Sequence, residues 1–499
     1  MKRNERQSTY TANAGSKGRD DGRRPSGKRP GGPGERTVGG SKRSASAPKP
    51  ASARELALEA LTRVETEGAY SNLLLNRLLQ KHPLDRADAG LATELVYGTI
   101  QRKNTLDYYL NRFVAAGVAK LEPWVRNLLR LGLYQLLYLD RIPEHAAVNE
   151  SVNIAKRKGH AGISGMVNGV LRNAVRRKAE LAVPRTLGPI ERIALETSHP
   201  EWLVADWVGR FGAETAERIC RANNEPPHAS VRVNSVKLSR DELLRLMRDA
   251  GMQARPSELS EAGIVVESGG NMALTPWYAD GLLSVQDESS MLVAEAVDPR
   301  PGMSVLDCCA APGGKTSHMA ERMNDAGRIV ACDLHEHKRE LIEAQVKRLG
   351  LTSVETRTID ARELPEAYRG SAFDRILLDA PCTGFGVVRR KPDIKWTKRP
   401  EDAEDIARLQ AELLNGAAKL LAPGGVLVYS TCTISEAENE RVLETFLAAH
   451  PGFRLEQPPE PLRRRLPAEA VAPSGTIAIL PHMFGSDGFF IARLRKQSE

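Results

Sequence analysis

The chain has 499 residues, 41% apolar and 27% charged, with a formal net charge of +8; that length exceeds one hydrophobic core and calls for about three domains. No apolar run approaches the roughly 18 residues of a membrane span, and the N-terminus lacks the apolar core of a signal peptide. The six cysteines (Cys220, Cys308, Cys309, Cys332, Cys382, Cys432) show no paired CxxC spacing, which argues against zinc ribbons and a disulfide scaffold. A reduced, cytoplasmic protein with no metal and no membrane partner is expected. Cys220 and Cys332 read as small buried hydrophobes.

The charge is unevenly spread. Residues 1–50 hold 13 Lys/Arg against 4 Asp/Glu, residues 51–180 hold 19 against 13, and the remaining 319 hold 39 against 46. A basic front on a mildly acidic body suits a polyanionic partner such as nucleic acid, although basic tails also serve only as soluble extensions. Residues 1–52, rich in Gly, Ser, Pro, Lys and Arg, read as a disordered basic tail.

From residue 53 to about 185 the pattern is helical. Leu58, Leu61 and Val64 recur at helical spacing, and 124–139 is densely apolar. The segments VNESVNIAKRKG (148–159) and MVNGVLRNAVRR (166–177) resemble the NusB family, an all-helical RNA-binding fold. Arg157, Lys158, Arg172, Arg176 and Arg177 are candidate phosphate contacts, or equally an ordinary solvated helix face. Residues 190–290 read as a small α+β module with no catalytic constellation. Within it, VRVNSVKLSRDELLRLMRDAG (231–251) is a strand followed by a helix that Ser239 caps and Gly251 stops.

From residue 291 to 499 strands and helices alternate, implying parallel βαβ units. Strands are predicted at 303–309, 328–334, 354–360, 373–381 and 426–432, helices at 338–349, 402–421 and 436–450. A closing pair, 477–480 and 489–494, flanks the turn GSDG. The first strand runs into Cys309-Ala310-Ala311-Pro312-Gly313-Gly314-Lys315, small residues that let a backbone approach a ligand at a helix N-terminus. Gly314-Lys315-Thr316 suggests a P-loop, but Cys309 stands where that motif needs glycine. Asp333, Asp360 and Asp379 end three successive strands and converge on the crevice at the carboxyl edge of the sheet. No Arg-rich signature for a phosphate-bearing dinucleotide follows, so a nucleoside cofactor without phosphates fits. Cys382 and Cys432 lie just past the ends of strands four and five, which are adjacent at about 4.8 Å, so both thiols could face that crevice.

DCCAAPGGKT (307–316), DAPCTGFGVVRRKPDIKW (379–396), YSTCT (429–433) and PHMFGSDGFFIARL (481–494) together resemble the RNA cytosine-C5 methyltransferase family. The resemblance spans roughly 53–495, and the NusB-like front points to its bacterial ribosomal subgroup, RsmB (Sun/Fmu). The fold so implied is α/β: a class I methyltransferase with a Rossmann-like doubly wound sheet, an all-α NusB-like domain and a small α+β middle module. The cofactor implied is S-adenosyl-L-methionine, held by Cys309–Lys315, Asp333, Asp360 and Asp379. The family's roles make Cys432 the nucleophile at C6 of cytosine, Cys382 the residue of the release step, and Asp379 the acid near N3. The subgroup's substrate is cytosine 967 of 16S rRNA, as free rRNA or a small-subunit assembly intermediate, and a monomer is expected. Cys308 departs from the apolar residue expected there and is read as packing. Downstream, Arg389, Arg390, Lys391, Lys395 and Lys398 around Trp396 suit phosphate contact plus base stacking, with a core tryptophan in a solvated loop equally open. The competing readings are the same chemistry on a tRNA or another rRNA site, and a non-enzymatic RNA-binding assembly factor. A DNA methyltransferase has no use for Cys432.

Overall fold

Ser52 caps the first helix, α1 (Ala53–Glu67), in a capping box closed by Glu55, and Gly68 at φ 64° ends it. This is where the computed structural model begins to describe the chain: it covers residues 52–268 and 270–498, so the basic tail read at the N-terminus lies outside the described residues. Helices α2 (Ser71–Lys81), α3 (Arg86–Gln101), α4 (Lys103–Leu110), α5 (Pro123–Tyr138), α6 (Glu144–Lys158) and α7 (Ala161–Arg176) complete a helical domain. α5 is its axis. Val125, Leu128, Leu129, Leu131, Leu133 and Leu136 are all buried, which explains why 124–139 is apolar on every face. Arg130, buried among them, is paired with Glu65 at 3.0 Å and Asp107 at 2.7 Å.

Three further helices, α8 (Pro189–Thr197), α9 (Glu201–Phe211) and α10 (Ala213–Ala222), pack around the fully buried Trp207. Their core continues into Phe385, Val388, Ile394 and Ile434. They therefore brace the segments that follow Cys382 and Cys432. A four-stranded antiparallel sheet follows, in the order β2-β3-β1-β4, from β1 (Ala229–Val233), β2 (Gln253–Pro256), β3 (Gly263–Ser268) and β4 (Leu283–Val285). α11 (Arg240–Asp249) covers one face, capped by Ser239 as its sequence predicts and followed by Gly251 at φ 79°. A single turn, α12 (Pro276–Ala279), leads to β4, and the almost wholly buried α13 (Glu288–Val297) leads out of this domain.

The chain then alternates through β5 (Ser304–Asp307), α14 (Gly314–Arg322), β6 (Arg328–Asp333), α15 (Glu336–Leu349), β7 (Val354–Thr358), α16 (Leu364–Ala367) and β8 (Phe373–Asp379). It continues with α17 (Ile394–Thr397), α18 (Pro400–Lys419), β9 (Leu421–Thr431), α19 (Glu440–Ala449), β10 (Phe453–Glu456), β11 (Ile477–Ile479) and β12 (Phe489–Lys496). The sheet order is β7-β6-β5-β8-β9-β12-β10, with the first five parallel and β12 antiparallel to β9. Side chains alternate between its two faces: Val426 and Val428 of β9 join one core, Leu427 and Tyr429 the other. β10, which pairs with β12, has no counterpart among the predicted strands, because four partly exposed edge residues carry too little alternation to register. The chain order reverses at β5, between β6 and β8, so the ligand crevice of a doubly wound sheet opens at the carboxyl ends of these strands. Among the described residues no helix is long and apolar enough to cross a membrane.

Candidate active site

Strand register sets the centre of the site. Asp379, the last residue of β8, pairs with Ser430 of β9, and Ser430 donates its hydroxyl to the Asp379 carboxylate at 2.8 Å. The chain passes Cys382 three residues beyond one strand partner and Cys432 two beyond the other. Their Sγ atoms come to rest 3.3 Å apart without a covalent bond. This contact polarises the pair. The hydrogen bond to Cys432, with burial adding to it, pushes the Cys382 thiol well above its ordinary value. The same hydrogen bond draws Cys432 below its ordinary value, and Lys315 and Lys391 pull the same way against burial.

The turn 309–315 lies across the crevice. Lys315, from the first turn of α14, donates to Asp379 at 2.8 Å. Burial works to lower its pKa, but the Asp379 charge and hydrogen bond outweigh that, so Lys315 stays a cation. Gly313 sits at φ 99°, and a Cβ there would come within 3.2 Å of the Ile342 backbone, so only glycine fits. Asp307, at the end of β5, accepts from Thr316 Oγ1 at 2.7 Å while its other oxygen is buried without a partner. Burial lifts its pKa to about 7.

Asp333 accepts from the Ala311 amide at 3.2 Å and the His335 amide at 3.4 Å, with the Lys338 ammonium at 3.4 Å. Asp360 lies two residues past β7 and holds the amide and guanidinium of Arg362, which keep its carboxyl below the usual carboxylate range. A cleft of about 460 Å³ brings together Cys309, Ala311, Asp333, Asp360, Asp379, Cys382 and Cys432. A second cavity of about 140 Å³ shares Cys309, Ala311 and Asp379, and adds Ala310, Pro312, Gly314 and Lys315. Of the catalytic and cofactor-binding candidates read from the sequence, Gly313 alone lines neither; it shapes the turn instead.

The middle domain, read from the sequence as holding no catalytic constellation, also reaches the site. Gln286 and Ser290 line the smaller cavity. Arg232 of β1, wholly buried, donates to the Gly314 carbonyl and to Ser317 Oγ, and makes a two-pronged ion pair with Glu321. A lone Arg in an apolar strand was the available signal. The acids of EAENE (436–440), two residues after YSTCT (429–433), were another. Glu438 is fully buried there and accepts from Thr383 N at 2.9 Å.

The basic segment after Cys382 is largely not a nucleic-acid surface. Arg389 is buried and donates to the carbonyls of Ala222, Pro481 and Gly485. Arg390 pairs with Asp287 and Asp487, each at 2.8 Å. Lys395, buried completely, donates to the Gln101 carbonyl at 2.9 Å, and Trp396 donates its indole N–H to the Ile100 carbonyl at 2.7 Å. These carbonyls end α3, where helical partners run out; burial pushes the Lys395 amine well below its ordinary value. The segment is a strut onto the helical domain; Lys391 stays exposed and Lys398 partly so. In the helical domain Arg157, Lys158, Arg172, Arg176 and Arg177 all remain exposed. Cys220, Cys308 and Cys332 are buried, as packing residues.

Comparison with known proteins agrees with this layout. Residues 294–495 match the family model for the RsmB/F 16S rRNA methyltransferases, residues 51–176 that of the NusB family, and residues 199–273 that of the RsmF/B-like ferredoxin-like domain. The probable ribosomal RNA small subunit methyltransferase B of Bacillus subtilis is 48% identical over 452 residues, covering 90% of this chain and 100% of that protein. The ribosomal RNA small subunit methyltransferase B of Pseudomonas putida is 38% identical, covering 89% and 98%. The crystal structure of PH0851 superposes with a TM-score of 0.74 at 28% identity, covering 89% of this chain and 98% of that one. NSun6 from Pyrococcus horikoshii with SFG gives 0.54 at 25% identity, covering 60% and 99%.

Proposed function

The chain belongs to the ribosomal RNA small subunit methyltransferase B family of S-adenosylmethionine-dependent RNA methyltransferases, and we propose that it methylates C5 of cytosine 967 in 16S rRNA through a covalent adduct of Cys432. The observation that carries this reading is the polarised Cys382–Cys432 pair, 3.3 Å apart, in the same cleft as Asp333, Asp360 and Asp379.

The cofactor fits the residues present. Asp307 has an unpartnered buried oxygen beside the turn, and the cleft adds Asp333, Asp360 and the half-exposed Leu334. Asp333 is assigned to ribose hydroxyls, Asp360 and Leu334 to the base, and the turn Cys309–Lys315 with Asp379 to the amino-acid end. When bound, S-adenosylmethionine supplies an electrophilic methyl group on sulfur.

C5 of cytosine is a poor nucleophile until a thiolate adds to C6. Cys432, whose pKa is lowered, forms that S–C6 bond, and the displaced π pair makes C5 enamine-like. Charge builds on N3 and O2; Asp379 is assigned to deliver a proton to N3, and the Lys315 ammonium beside it stabilises the remaining negative charge. After C5 is methylated its proton must leave as the S–C6 bond breaks, returning the electron pair to Cys432. Cys382, within hydrogen-bond reach of Cys432, is assigned to this step: its thiol passes its proton to the leaving Cys432 sulfur and, as the thiolate so formed, accepts the proton from C5. The base must be unstacked to reach the crevice.

Residues 53–185 are assigned to rRNA binding, 190–290 to bridging onto the catalytic domain at 291–499. The enzyme is taken to act as a monomer in the cytoplasm, a setting that suits six unpaired cysteines. Cys382→Ala is expected to accumulate a denaturation-resistant protein–RNA adduct, and Cys432→Ala to abolish methylation while still binding cofactor. An active Cys432→Ala enzyme overturns the nucleophile assignment. Bisulfite mapping of 16S rRNA from a strain lacking the gene identifies the target. Persistent methylation at position 967 would overturn that choice.

A further inference from the structure

Neither cysteine is special by residue type, and both lie just past a strand end. Something around them must decide which one gives up its proton. The charged groups facing the pair are Lys315 from α14, Asp379 from β8, Lys391 from the segment after Cys382, and Glu438 from the turn before α19. Asp379 acts on both thiols; Lys315 and Lys391 act on Cys432, and Glu438 acts on Cys382. Glu438 also holds both loops. Its carboxylate accepts from the amide and hydroxyl of Thr383, the residue after Cys382, and from the hydroxyl of Thr433, the residue after Cys432, at 3.4 Å. Gln410 of α18 donates to it at 3.2 Å, and the two threonine hydroxyls meet at 3.0 Å. The same turn is pinned from outside: Asn439 bonds Thr431 Oγ1 and the Thr433 carbonyl, while Arg210 of α9 holds Glu440 and the Ile434 carbonyl.

A carboxylate with no exposed surface is costly to bury, and burial does push its pKa up. Four donors from three separate segments are what retain it. We propose that Glu438 is a positioning residue for the cysteine pair: it clamps Thr383 and Thr433 so that the two sulfurs meet, and its negative charge on the Cys382 side keeps the proton there, leaving Cys432 as the thiolate. This rests on the two-cysteine mechanism above and supplies the physical reason for its order of action. No covalent step is added; one proton stays on Cys382 in the resting enzyme.

The experiment is competitive alkylation of the full-length enzyme with substoichiometric iodoacetamide near neutral pH, mapped by peptide mass spectrometry. Wild type is expected to label Cys432 over Cys382. In Glu438→Gln the side-chain oxygen can still accept from Thr383 N and Gln410 while its NH₂ faces two hydroxyls. The fold should therefore persist as the charge is lost. The labelling preference is expected to fall about tenfold, the effect of one pKa unit, and kcat for RNA methylation to fall with KM for RNA and cofactor unchanged. Glu438→Asp, which restores the charge, should recover much of the preference. Thr383→Val removes one donor without touching charge; it should lower kcat and keep the preference, which supplies a reading should Glu438→Gln not fold. An unchanged preference in Glu438→Gln, or a lost preference in Thr383→Val, overturns the proposal. Equal labelling of both thiols in wild type does so as well. An active Cys432→Ala enzyme is the separate result that would sink the nucleophile assignment, whichever way the labelling ratios fall.

Discussion

Replacing Arg232 by Met removes a guanidinium with no exposed surface and leaves the Glu321 carboxylate, its side chain 1% exposed, without a counterion. Taking one partner from a buried ion pair costs about 3–5 kcal/mol, because the charge that remains can be neither solvated nor matched. The Gly314 carbonyl and Ser317 hydroxyl lose donors in the same step. The loss should therefore appear as both lower stability and weaker cofactor affinity, since Gly314 belongs to the turn that crosses the crevice. Burial already raises the Glu321 pKa and Arg232 opposes it. In the variant the carboxyl takes up a proton more readily, so the destabilisation should be larger at pH 8 than at pH 5. Urea unfolding at both pH values, with cofactor titration by calorimetry, measures these effects. The double variant Arg232→Met/Glu321→Leu, which replaces the pair by apolar groups, should recover most of the loss. A single variant within about 1 kcal/mol of wild type, or a double variant no better than the single one, would refute the idea that this ion pair couples the small sheet to the turn.

Lys391→Gln should move the rise of activity with pH to higher pH, because this lysine helps hold the Cys432 thiol below its ordinary value; a pH–rate profile checks the direction. Asp307 has its pKa lifted from 3.8 to about 7 by burial, so its contribution to stability is present below the lower value and lost as pH rises through the higher one. Asp307→Asn should accordingly raise the urea midpoint of the cofactor-free enzyme at pH 8 and leave it nearly unchanged near pH 4. Trp396→Ala should destabilise the docking of the helical domain by roughly 2–4 kcal/mol and expose that domain to proteolysis, with little change in the salt dependence of RNA binding. A loss of salt dependence instead would restore the RNA-contact reading of that segment. Deleting residues 1–50 should weaken RNA affinity mainly at low salt and flatten the slope of log affinity against log salt.

The strand–helix rhythm from residue 291 onward and the capped helix after Ser239 were legible because they rest on local periodicity and capping chemistry. The two cysteines and the strand-end acids were legible for a related reason: parallel strands in a doubly wound sheet send their carboxyl ends to one edge, so residues far apart in the chain share an address. The basic run 389–398 left two readings open because charge next to an aromatic looks the same whether it faces solvent or a helix end. Only packing shows that Lys395 and Trp396 are spent on the carbonyls of Gln101 and Ile100.

The sequence by itself determined the architecture, the family and the inventory of reactive groups, since motifs, spacing and periodicity are properties of the chain. The tertiary structure decided how those groups differ from one another. Cys382 and Cys432 are equal in sequence, but Lys315, Lys391 and Glu438 reach them from different segments and act on different thiols. Likewise Arg232, some 80 residues before the turn it holds, carries no mark of that role until β1 is laid against α14. Electrostatic polarity depends on distance and burial between segments, and those exist only once the chain has folded.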